Sequence, residues 1–116
     1  MIKDQFFIES LGCAKNSVDA HSMAQLLESS GMKEVDNPEQ AEVIIVNTCG
    51  FIQPARQESL QVLNKFSSRK AQGQILIAAG CLSELEKYHL LKKVSGLDAA
   101  LSTRRWHDIV HVVEKA

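Results

Sequence analysis

Val43-Ile44-Ile45-Val46 constrains the fold of this chain more than any other feature, because its apolar side chains run without a break and all are β-branched. A strand with one wet face alternates polar and apolar residues. A continuous run instead calls for cover on both faces, the condition of a parallel strand wrapped by helices. Gln74-Ile75-Leu76-Ile77-Ala78-Ala79, entered from Gly73, repeats the pattern. Phe6-Phe7-Ile8 is a shorter run of the same kind that ends at Ser10-Leu11-Gly12. Asp98-Ala99-Ala100-Leu101 predicts a last strand, and Lys33–Val35 a short, weak one.

Between these runs the period changes. Ala20, Met23, Ala24 and Leu27 recur at helical spacing, so a helix is expected from Asn16 to about Ser30. Asn16 reads as its cap with Asp19 in a capping-box position, and Gly31 as its stop. Asn37-Pro38-Glu39 predicts one helical turn, with Asn as cap and Pro at the first position. Pro54 opens a long helix whose inward face carries Val62, Leu63 and Phe66. Ser83 and Glu86 read as a capping pair for another helix, with Leu85, Leu90, Leu91 and Val94 directed to the core. Trp106, Ile109, Val110 and Val113 stripe a C-terminal helix. Strands alternating with helices imply an α/β fold: an open, mainly parallel five-stranded sheet with helices on both faces, in the flavodoxin-like order 2-1-3-4-5. At 116 residues, residues 1–116 are expected to form a single domain.

Charge removes several classes of function. The net charge is −1, with 13 basic residues against 14 acidic ones and no basic stripe, so no direct nucleic-acid binding is expected. No apolar run approaches membrane-spanning length, and Asp4 and Glu9 interrupt what would be the core of a signal peptide. A cytoplasmic location is the default. Three cysteines cannot all pair internally, and in a reducing compartment they would be free or bind metal.

Cys13, Cys49 and Cys81 follow the first, third and fourth predicted strands. In the expected order those strands are neighbours, so the cysteines belong to the carboxyl edge, where open α/β sheets bind ligands. Each has a glycine beside it (Gly12, Gly50 and Gly80), and each lies a few residues before a predicted helix start, where thiolate is favoured over thiol. Such sites suit an iron–sulfur cluster, which needs anionic sulfur ligands and N–H donors. Three thiolates on a four-iron cluster leave one iron open. Buried free cysteines, a three-thiolate zinc site and a non-catalytic docking module remain the alternatives at this level.

The motifs carry a resemblance. Ser10-Leu11-Gly12-Cys13-Ala14-Lys15-Asn16, Val46-Asn47-Thr48-Cys49-Gly50-Phe51-Ile52 and Ala79-Gly80-Cys81-Leu82 together resemble the three cysteine motifs of the radical-SAM methylthiotransferases, in order and over nearly the whole chain. Leu-Gly-Cys-x-Lys-Asn and Cys-Gly-Phe-Ile are similar to the branch that modifies a ribosomal protein, with the branch that modifies tRNA as the alternative. The resemblance implies an N-terminal domain with an auxiliary [4Fe-4S] cluster on Cys13, Cys49 and Cys81. It implies a partner radical-SAM domain in the same full-length protein, with S-adenosylmethionine and a second [4Fe-4S] cluster on a CxxxCxxC motif absent from this chain. The implied reaction adds a methylthio group to the β-carbon of an aspartate in a small-subunit ribosomal protein, and this chain alone is not expected to perform it. The sulfur donor stays open.

Other constellations fail on their chemistry. His107 and His111 stand four apart, but Asp108 occupies the place where a metalloprotease helix needs glutamate, so a solvated pair is expected. A cysteine phosphatase needs arginine six residues after its nucleophile, and this chain has Asp19, Ala55 and Lys87 there. No Walker A loop or GxGxxG is present.

Overall fold

The computed structural model describes residues 5–11, 14–48, 53–80, 94–102 and 107–115. Among them are five strands, β1 (Gln5–Ser10), β2 (Lys33–Glu34), β3 (Val43–Thr48), β4 (Ile75–Gly80) and β5 (Ala99–Ser102). The helices are α1 (Ala14–Ser29), α2 (Gln53–Arg69) and α3 (Ile109–Lys115). All pairings are parallel, and the sheet order is β2-β1-β3-β4-β5. This is the α/β architecture and strand order that the sequence predicts.

The unbroken apolar runs have the expected cause. β3 is buried at all six positions. Val43 and Ile45 join Phe6, Met23, Leu27, Ile77, Ile109 and Val113 in the core beneath α1 and α3. Ile44 and Val46 join Leu63, Phe66, Leu76 and Ala78 beneath α2. Each strand position therefore serves one of two cores, as the two-residue period of a pleated strand requires.

Helix α1 departs from expectation at its start. It begins at Ala14, so Asn16 lies in the first turn rather than at the cap. Ala14 and Lys15 are strong helix formers, and their propensity carries the helix past the better capping side chain. The far end is as expected. Gly31 takes φ +102, while its N–H donates to Glu28 O (3.1 Å) and that of Met32 to Leu27 O (3.1 Å). These are the two bonds of a Schellman ending. A Cβ at Gly31 would meet nothing within 4 Å, so Gly31→Ala incurs only the left-handed backbone penalty. The expected loss is about 1–2 kcal/mol, read from the urea midpoint, with Gly31→Asn losing less.

The crossover from β2 to β3 contains one 3-10 turn, Pro38–Gln40, with the Asn37 side chain accepting from Glu39 N–H (2.9 Å). The amino ends of the strands are tied by side chains. Gln74, expected to open β4, instead precedes it, and its Nε2 donates to Pro38 O (3.0 Å) and Ala41 O (2.8 Å). Asp98 Oδ2 accepts from Leu76 N–H (2.8 Å) and from Lys70 Nζ (2.6 Å). The helix expected after Ser83, and Trp106 at the start of the last helical stripe, lie outside the described residues, although Val94 and Ile109 are fully buried.

Candidate functional site

The carboxyl edge of the sheet, where the sequence places the candidate site, includes three adjacent strand ends. β3 lies between β1 and β4, with Ser10 registered against Asn47 and Thr48 against Gly80. Leu11 N–H donates to Asn47 O (2.9 Å), which carries the β1–β3 pairing one residue past the end of β1. Thr48 Oγ1 donates to Ala79 O (2.7 Å) in a fully buried contact that ties β3 to β4.

Gly80 closes this edge. Its φ is +96, and a Cβ built there would lie 2.5 Å from Thr48 O, 3.0 Å from Thr48 N and 2.7 Å from Asn47 Oδ1. Two of those atoms are backbone and cannot swing away. Glycine is therefore required twice, for conformation and for space. Asn47 is 1% exposed and Thr48 fully buried, so two polar side chains stand where the rest of β3 is apolar. Ser59 on α2 is likewise fully buried. A polar pair at the end of an apolar strand is the signal that sequence reading passed over.

Cys13, Cys49 and Cys81 all fall outside the described residues. In the chain, Cys49 and Cys81 follow Thr48 and Gly80 directly, and Cys13 immediately precedes Ala14, the first residue of α1. Among the described residues no group of three or more His, Cys, Asp and Glu side chains could hold a metal ion. His107 and His111 are both exposed, as expected, and His107 Nε2 lies 3.6 Å from Asp108 Oδ1. No helix among the described residues is long and apolar enough to cross a membrane.

A groove of about 630 Å³, not anticipated from the sequence, lies on the α2 side of β1. Phe7, Ile44 and Phe66 line it, with Lys65 and Arg69 on the helix and Glu9 and Glu39 among the other residues around it. The Phe7 and Phe66 rings are tilted at 53° with centroids 6.1 Å apart. The groove exists because the β2–β3 crossover supplies only a 3-10 turn where a helix would cover the sheet. Its walls include Pro38 and Gln74, which precede β3 and β4 at the amino ends of those strands.

The profile of the Uncharacterized protein family UPF0004 matches residues 5–102, which include all five strands and all three cysteines. The chain belongs to the UPF0004 family. This UPF0004 chain is similar to the ribosomal protein uS12 methylthiotransferase RimO of Herpetosiphon aurantiacus, at 47% identity over 109 residues, covering 94% of this chain and 23% of that protein. The protein of the same name from Chloroflexus aurantiacus is 47% identical over 105 residues, covering 90% of this chain and 23% of that protein. That of Aquifex aeolicus is 41% identical over 104 residues, with the same two shares. The UPF0004 chain thus spans about a quarter of the length of the curated relatives it matches.

Proposed function

We propose that this UPF0004 chain is the N-terminal domain of a methylthiotransferase, and that Cys13, Cys49 and Cys81 hold an auxiliary [4Fe-4S] cluster through three thiolates. The observation that carries the reading is the strand order: the three strands that end just before the cysteines are the three adjacent strands β1, β3 and β4. Residues far apart in sequence are thereby drawn to one edge of one sheet. Two features favour a cluster as the occupant. The donor set is three thiols, and iron–sulfur clusters are held by thiolates. Beside one of those thiols, at Gly80, the space a Cβ would fill is taken by Asn47 and Thr48, so the strand ends close on each other.

The chain's own contribution is to hold and charge the thiols. Helix α1 has 16 residues and begins one residue after Cys13, so the positive end of its dipole and its free N–H groups favour the Cys13 thiolate. Cys13, Cys49 and Cys81 would hold three of the irons of a four-iron cluster, which would supply a site for sulfur. S-adenosylmethionine and a second cluster, which would be held by a radical-SAM domain of the full-length protein, would supply the methyl group and the radical chemistry.

The names of the relatives support a ribosomal-protein substrate. The reading takes the target as the β-carbon of an aspartate in a small-subunit ribosomal protein. The location is taken as cytoplasmic.

Anaerobic reconstitution of the chain with iron and sulfide tests the metal assignment. About four iron and four acid-labile sulfide per chain are expected, with visible absorption that bleaches on reduction. Tight binding of one zinc with no sulfide incorporated would replace the cluster with a zinc-binding or docking module.

A further inference from the structure

We propose that Thr48 and Gly80 are positioning residues that set the distance between Cys49 and Cys81. The proposal rests on the reading of those cysteines as ligands of one centre, and it adds the residues that bring two of them together.

Covalent geometry gives the starting point. Thr48 and Gly80 are register partners on neighbouring parallel strands, which lie about 4.8 Å apart. One trans peptide beyond each partner moves the Cα by about 3.8 Å, so the Cα atoms of Cys49 and Cys81 can be no more than about 12 Å apart. Within that bound, what happens at the strand ends decides whether the thiols meet. Parallel strands that simply stop there would be free to splay, because the ladder has no further pair to hold them.

Two contacts oppose splaying. The first is the Thr48 hydroxyl, which donates to Ala79 O at 2.7 Å across the strand boundary, fully buried, one residue before the glycine. The second is the close approach of Gly80 to β3. At φ +96 it leaves strand geometry, and the position of its missing Cβ is filled by Thr48 O, Thr48 N and Asn47 Oδ1. The glycine thus packs directly against β3 at the residue before Cys81. Neither feature is needed to form the sheet, since Val43 to Asn47 already pair with Ile75 to Ala79 below them. Both act on the single step that leads into the two cysteines.

The test reads thiol proximity without any cluster. In a Cys13→Ala background, Cys49 and Cys81 are the only thiols in the chain. Phenylarsine oxide bridges two nearby thiols with loss of water, and intact mass counts the bound arsenic. The parent is expected to capture one arsenical per chain. Thr48→Val keeps the shape and removes the hydroxyl; it should capture about fivefold to tenfold more weakly, the equivalent of one buried hydrogen bond. Thr48→Ser should restore capture. Gly80→Ala should capture least. If it fails to fold by circular dichroism, the valine and serine variants still decide the matter.

Parent-like capture by folded Thr48→Val would overturn the proposal, and so would a parent that captures none. A role in stability alone would lower the urea midpoint of Thr48→Val and leave capture by the folded protein unchanged, which also overturns it. If capture depends on Thr48 while the unsubstituted chain binds no iron, the positioning role stands and the cluster assignment falls.

Discussion

Alanine at Cys13, at Cys49 or at Cys81 is expected to cut iron and sulfide loading to below about one tenth of the unsubstituted chain, with no graded ranking among the three. A cluster held by only two protein thiolates has lost half of the usual four-thiolate set. Metal binding needs a deprotonated ligand, and alanine supplies none in place of the missing thiolate. Iron and sulfide assays on the three variants, each beside its urea midpoint, provide the check. If one variant loads normally and keeps its visible spectrum, that cysteine is not a ligand. The three-strand convergence would then serve some other end.

The second large effect is in the core. Phe6→Ala is expected to cost about 3–5 kcal/mol, a large share of the roughly 5–15 kcal/mol that holds a typical domain together. Phe6 is fully buried in β1, where Glu34 and Val43 are its register partners, and it belongs to the same core as Met23 and Leu27 from α1. Its neighbour provides the control. Phe7 points to the other face, half-buried against Phe66 at the groove, so Phe7→Ala should cost clearly less. Urea denaturation of both variants measures the difference. A larger loss for Phe7→Ala than for Phe6→Ala would mean that the two faces of β1 have been exchanged.

Much of the architecture was legible because it depends on patterns that local physics makes unambiguous. Val43 to Val46 can be apolar on both faces only if both are covered, and the crossover geometry then leaves few strand orders. Gly31 and Asn37 act within a turn of where they stand, so their roles as stop and cap were readable too. What escaped reading depends on partners far away in sequence. Gln74 was expected inside β4, yet it serves carbonyls of the preceding crossover, and no local signal distinguishes those uses. Asn16 was a sound capping residue overruled by the helix formers before it. At the candidate site, the strands that lead to the cysteines were predictable. The closure by Thr48 and Gly80 was not, because it is a meeting of two strand ends. The groove over Phe7 was equally hidden, since it arises from a crossover that omits a helix.

The parallel register also sets an order of events in time. The strand ends that precede the three cysteines are joined by no local turn; each pairing is a ladder between segments far apart in the chain. Loop-closure entropy makes such ladders slow to form, and no pair of thiols becomes a high-affinity seed before they do. In zinc fingers the metal gathers an unfolded chain around itself. On the proposed reading the apo chain would fold first, and the metal would enter last, at the rim of a finished sheet. A domain that holds its cluster in the proposed way would accumulate folded and empty in cells starved of iron, ready to be loaded without a second round of folding.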